Sequence, residues 1–190
     1  MALLIIGIVV FLGIHVVPTL PHLREGLIGQ LGETGYKIFF SVLSTLGFAL
    51  LVYGFARAPV IQIWSPPEWT RWVALVLTLP AFVLIVASYV PGQIKAKLRH
   101  PFLAGIKFWA LGHLIANGDL ASIILFTSFL AYAVYDRIAA KRREERGLVT
   151  VEETGPARND VISVVLGVAF YVIFLIWLHP LLIGSTPLPS

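Results

Sequence analysis

The chain has 190 residues, 58% of them hydrophobic and 13% charged, with a mean hydropathy of +0.88. Soluble domains carry about 45–50% apolar and about 25% charged residues, so a water-soluble globule is excluded and an integral membrane protein is expected. A formal charge of +4 at a pI near 9.6 calls for an anionic surface as neighbour, and the lack of cysteine excludes disulfides, thiolate metal sites, iron–sulfur clusters and thiol catalysis.

A membrane-crossing helix needs about 20 mostly apolar residues, within a range of about 17–25. Six runs of that kind follow in order: 2–17, 36–56, 70–90, 101–116, 120–135 and 161–184. The first lacks a basic start and is followed by no small-residue cleavage site before Pro18, so it reads as a retained span and not as a leader. Trp64, Trp69 and Trp72 stand with Pro66 and Pro67 in the second connection, where amphipathic rings suit the headgroup level. Residues 101–116 and 120–135 are short runs joined only by Asn117-Gly118-Asp119, which predicts a tight turn between two antiparallel helices.

The expected fold is therefore an all-α, polytopic membrane helical bundle of about six transmembrane helices, read as a single domain over 1–190. Lysine and arginine concentrate in the connections 18–35, 91–100 and 136–160, whereas the opposite connections hold only Arg57 and Arg71. The positive-inside rule puts the rich side in the cytoplasm and both termini on the non-cytoplasmic side. The basic run from Asp136 to Arg146 directly continues the fifth span, so attraction to anionic lipid accounts for it, and with neither interleaved aromatics nor a binding-module motif no nucleic acid partner is expected.

Any metal chemistry must use histidine, carboxylate or backbone oxygen, and the histidines are His15, His22, His100, His113 and His179. An ionisable side chain at membrane depth is costly and by default marks a functional site, which singles out His113. His15 follows Phe11 by four residues and His113 follows Trp109 by four, so each imidazole shares a helix face with an aromatic ring. Two neutral imidazoles from facing helices form the ligand set of a six-coordinate haem iron, with His15/His113 as one pair and His15/His100 as its rival. Their estimated depths differ by up to about one and a half helical turns, which tilt or an extended first helix would remove.

Several neighbours complete the candidate set. Gly105 and Gly112 lie seven apart on the fourth span and permit close approach of a helix or of a planar ligand. His100 precedes Pro101 at a helix start and is either an interfacial cap or a cofactor contact, while Arg99 beside it suits a carboxylate such as a haem propionate. Lys107 shares the face of His100, and Asn117 and Asp119 either cap the fifth helix or hydrogen-bond His113 to set its tautomer. His179 stands as a reserve ligand near the outer interface, and His22 as a solvated surface residue.

Arg99-His100-Pro101 followed by Gly105, Trp109, His113 and Asn117 resembles the NnrU-type integral membrane proteins, a family that includes 15-cis-zeta-carotene isomerase. Phe11-Leu12-Gly13-Ile14-His15, Leu23-Arg24 and the segment from Leu31 to Tyr36 are similar to the amino-terminal signature of that family. The resemblance implies haem b with His15 and His113 as metal ligands and catalytic groups, in a haem-dependent isomerase or oxidoreductase that acts on a hydrophobic small molecule when its iron is reduced. It further implies a multi-pass protein of the bacterial inner membrane, linked to denitrification and nitric oxide metabolism, with a homo-oligomer or a membrane-complex partner expected. The chain departs from the isomerase at Gly118-Asp119 and at Tyr132, in a region where a further histidine is expected, and this bears on substrate more than on haem.

Two other readings compete. Arg99-His100-Pro101 with a following aromatic and Gly105 also resembles the cofactor-proximal motif of isoprenylcysteine and phospholipid methyltransferases, which would bring S-adenosylmethionine to Arg99 and His100 with Glu144 or Glu145 as the acidic partner. The other is a non-catalytic membrane-complex subunit whose histidines serve as interhelical hydrogen-bond glue.

Overall fold

A computed structural model describes residues 1–148 and 155–188, and among these the regular elements are helices joined by short connections. Its α-helices are α1 (Ala2–Val16), α2 (Pro21–Ala56), α3 (Trp69–Tyr89), α4 (Gln93–Leu98), α5 (Pro101–Ala116), α6 (Leu120–Glu145), α7 (Arg158–Ile173) and α8 (His179–Ile183). A 3₁₀ turn, Val17–Thr19, follows α1, and a π-helical segment, Phe174–Leu178, joins α7 to α8 in one run. Five runs are long and apolar enough to cross a membrane: Ala2–Thr19, Pro21–Ala56, Trp69–Tyr89, Leu120–Glu145 and Arg158–Ile183. The remaining apolar helix, α5, has 16 residues and is about 24 Å long, so the expected bundle of about six spans is met by five helices of full length and a shorter one.

The chain forms two compact units, one of residues 1–63 with 119–128 and one of residues 64–118 with 129–190. In the first unit α1 packs along α2. Lipid tails offer no hydrophobic gain for pairing apolar helices, so close van der Waals approach at small residues must hold them together. The contact is built that way: Gly7 of α1 lies against the backbone of Leu51, while Gly47 and Gly54 of α2 lie against the backbone of Phe11 and Leu4. Leu4 and Leu51 are buried beside these glycines, while Ile5, Ile6 and Val9 point outward as lipid-facing residues do.

The segment 18–35, expected as a connection, is largely helical, because α2 already begins at Pro21. Proline at a first helical position fixes φ where its missing N–H costs nothing. The helix is interrupted at Gly32, whose φ of 72° and ψ of 166° leave the α region and divide an amino-terminal arm from the spanning part. The kink lets the Arg24 guanidinium stand 5.8 Å from the centre of the Tyr36 ring. The start of α6 also belongs to this unit, with Asp119 bridged to Gln62 and the Leu120 amide donating to the Ile61 carbonyl at 2.8 Å.

In the second unit α3 is the central helix, packed against both α5 and α7. Gly105 and Gly112 of α5 both face α3, the first against the Ala81 carbonyl and Ile85, the second against the Ala74 carbonyl, Leu77 and Thr78. Of the two roles expected for these glycines, helix packing is the one observed. On the other side Gly167 of α7 meets the backbone of Val83, and the Tyr171 hydroxyl donates to the Leu75 carbonyl at 3.0 Å. Asp160 at the head of α7 accepts from the amides of Gln93 (3.2 Å) and Ile94 (2.9 Å), which supplies α4 with the cap its own sequence lacks.

Candidate functional site

Three histidines carry the candidate chemistry, and each is held by its local backbone. His15 sits in the last turn of α1, where its Nδ1 lies 2.6 Å from the Phe11 carbonyl oxygen. A carbonyl only accepts, so Nδ1 is the protonated nitrogen and the lone pair lies on Nε2. Its ring lies 4.4 Å from that of Phe11 and meets Phe40 edge-on at 5.1 Å, with Phe48 behind Phe11 at 5.8 Å.

His113 repeats the arrangement in the second unit. Its Nδ1 lies 2.8 Å from the Trp109 carbonyl oxygen, again directing the lone pair to Nε2. Its ring stands 5.3 Å from Trp109, which meets Phe129 of α6 edge-on at 5.5 Å. Asn117 does not set this tautomer, contrary to one expectation, because its Nδ2 donates to the backbone carbonyl of His113 at 2.8 Å and closes the last turn of α5. Asp119 does cap α6: its Oδ1 accepts from the Ser122 amide at 2.9 Å.

The third site lies at the head of α5. The His100 amide donates to the Leu98 carbonyl at 2.7 Å, closing a three-residue γ-turn about Arg99. Arg99 is the only non-glycine residue with positive φ among those described, at φ 61° and ψ −43°. Such a backbone is strained for a side chain carrying Cβ and persists only where its surroundings over-determine it.

Those surroundings are supplied by Glu144, near the end of α6 and past the apolar stretch. Its Oε2 accepts from Arg99 Nη1 at 2.8 Å, and its Oε1 lies 2.6 Å from His100 Nε2. The Glu144 side chain is only 10% exposed, against 28% for His100 and 50% for Arg99, so one shielded carboxylate bridges two basic groups. The hydrogen bond from Arg99, helped by that from His100, outweighs desolvation and holds the Glu144 carboxyl below its ordinary range. Of the two acids expected beside Arg99 and His100, Glu144 is thus the one in place, while Glu145 pairs with Lys141 at 3.7 Å.

Two further sequence candidates remain. His179 opens α8, half-buried, with its Nδ1 2.9 Å from the Ser185 carbonyl oxygen and its ring within electrostatic range of His113, and His22 is exposed in the amino-terminal arm of α2. No group of three or more histidine, aspartate or glutamate side chains placed to hold a metal ion occurs among the described residues.

One family model matches this chain over nearly its whole length. The match to the NnrU protein model runs over residues 3–187. The chain belongs to the NnrU family. Neither curated proteins nor solved structures provide a match to this NnrU protein. Family membership and five runs of spanning length make it a multi-pass membrane protein lodged in a lipid bilayer.

Proposed function

We propose that this NnrU protein binds haem b through His15 and His113 and acts as a haem-dependent oxidoreductase or isomerase on a hydrophobic small molecule. The observation that carries the reading is the repeated construction of the two imidazoles. In each, Nδ1 donates to the carbonyl four residues earlier, which orients the ring and leaves Nε2 as the basic nitrogen. Metal-ligating histidines are commonly anchored in this way, and the anchor raises ligand basicity. The residue four positions earlier is in both cases aromatic and flanks the ring, as suits the neighbourhood of a flat macrocycle.

Haem iron draws four nitrogens from its own ring and asks one or two of the protein, a demand that His15 and His113 would meet. Bound to the chain, haem would supply a redox-active iron. His15 and His113 would present their Nε2 atoms, and the Phe11, Phe40, Trp109 and Phe129 rings would exclude water. The lysines and arginines around α4 and the end of α6 support a cytoplasmic location for that side under the positive-inside rule, and the assignment to a bacterial inner membrane rests on the family resemblance.

The reading is tested by reduced-minus-oxidised absorption spectra and iron analysis of protein purified after expression with haem supplied. A Soret band with stoichiometric iron is expected, lost or shifted in His15→Ala and His113→Ala; no band and no iron in the unsubstituted protein would refute the reading.

One observation favours a second function. Glu144 closing on Arg99 and His100 provides the acidic partner that an S-adenosylmethionine-dependent membrane methyltransferase requires beside that motif. Calorimetric titration with S-adenosylmethionine separates the two: binding that Glu144→Gln abolishes supports the methyltransferase, and no heat of binding removes it.

A further inference from the structure

Helix α5 meets α6 at His100 and Glu144, and inward of that contact two cations come together that pair with no acid among the described residues. His100 and Glu144 fix the register of these antiparallel helices, and moving seven residues inward on each, two helical turns or about 10 Å, arrives at Lys107 on α5 and Arg137 on α6. The two lie within electrostatic range as like charges. The carboxylates on this stretch of α6 are engaged elsewhere: Asp136 with Arg143 and the Tyr132 hydroxyl, Glu144 with Arg99 and His100, and Glu145 with Lys141.

A second observation is independent of charge. Nη1 of Arg137 and Nη1 of Arg143 are buried and find no hydrogen-bond acceptor among the described residues. A buried donor left unmade costs about 1–3 kcal/mol, more when charged, so an acceptor from outside the chain is called for. Depth says what kind. Arg137 follows the apolar stretch 120–135, about 25 Å along α6 from Leu120, which is where the hydrocarbon of a membrane gives way to headgroups. Val134 and Ile138, adjacent to it on the same helix, are 43% and 48% exposed and offer an apolar surface for an acyl chain.

We infer that Lys107 and Arg137 bind the phosphate of an anionic phospholipid as a defined site, apart from the diffuse attraction of the surface lysines and arginines. Arginine and lysine are the side chains that take phosphate in this setting, and basic pockets between transmembrane helices hold anionic headgroups. The site requires neither haem nor S-adenosylmethionine.

The test is native mass spectrometry of the full-length, delipidated protein in detergent, titrated with phosphatidylglycerol or phosphatidylcholine. Phosphatidylglycerol is expected to bind more than 10-fold tighter, with a loss of roughly 5-fold for each cation removed in Lys107→Gln and Arg137→Gln. Lys141→Gln/Arg142→Gln, on the exposed surface, is expected to retain the preference. Lys107→Gln alone suffices should the arginine variant fail to fold. Equal binding of the two lipids, an equal loss in the surface variant, or displacement of the lipid by millimolar inorganic phosphate would each overturn the inference.

Discussion

Replacing Gly47 with alanine tests how the α1–α2 contact supports His15. A Cβ at position 47 would stand 2.7 Å from the Phe11 nitrogen, 2.9 Å from its Cα and 3.1 Å from its Cβ, where ordinary contact begins at 3.4 Å. The first of these atoms is backbone and cannot rotate away, so α1 must withdraw by 3.4 − 2.7 = 0.7 Å at that level. A gap of that size forfeits roughly a quarter to a half of each dispersion contact it opens, and overpacking of this kind costs about 1–3 kcal/mol. Phe11 also supplies the carbonyl that holds His15 Nδ1, so the withdrawal reaches the imidazole directly. Gly13 on α1 is the internal control, because nothing lies within 4 Å of a Cβ added there. Gly13→Ala should stabilise the protein by about 0.5–1 kcal/mol through helix propensity alone. Unfolding of purified protein in detergent, followed by far-ultraviolet circular dichroism, should show Gly47→Ala below and Gly13→Ala above the unsubstituted chain. Equal stability of the two variants would refute the close-approach account of this interface.

Two further outcomes follow from the Arg99–His100–Glu144 cluster. Arg99→Gly and Arg99→Ala both lose an ion pair that is half exposed and worth about 0–1 kcal/mol, but only glycine also relieves the positive φ, so Arg99→Gly should be the more stable of the two in the same unfolding assay. The Glu144 carboxyl is held below its ordinary range, so its stabilising contribution is complete above the unfolded carboxyl pKa of about 4.3 and is lost as pH falls through the lowered folded value. Glu144→Gln should therefore flatten the acid side of the stability profile between about pH 5 and pH 3, and an unchanged acid limb would count against the bridged carboxylate.

Much of the bundle was legible because lipid imposes it: apolar runs, the Asn117–Asp119 turn and Pro101 at the head of α5 all lie where hydropathy and turn chemistry put them. The aromatic-to-histidine spacing of four also translated directly, since helical geometry alone brings His15 under Phe11 and His113 under Trp109. Other features depend on partners distant in sequence. The sequence offers Glu144 only as one of two acids, because 44 residues separate it from His100 and helix packing decides which carboxylate points inward. The γ-turn at Arg99 carried no local sign, arginine being a poor choice for positive φ, and only the carboxylate it reaches accounts for it. The glycines at 7, 47 and 54 carry no local sign of their role, because each works against the backbone of another helix. Helix α2 began earlier than expected because the glycines at 26 and 29, natural loop residues, are carried inside it after Pro21.

The brevity of α5 bears on proton supply. Sixteen residues give about 24 Å against a hydrocarbon thickness of about 30 Å, and closing such a gap by pinching the bilayer costs fractions of a kcal/mol per Å. Pinching of that kind would draw the polar Asn117-Gly118-Asp119 turn below the mean membrane surface and carry hydration down with it. His113 lies four residues, about 6 Å of helix rise, from that wet end. A ring packed against Trp109 in an apolar bundle would then sit one helical turn from bulk protons, on the side away from Glu144.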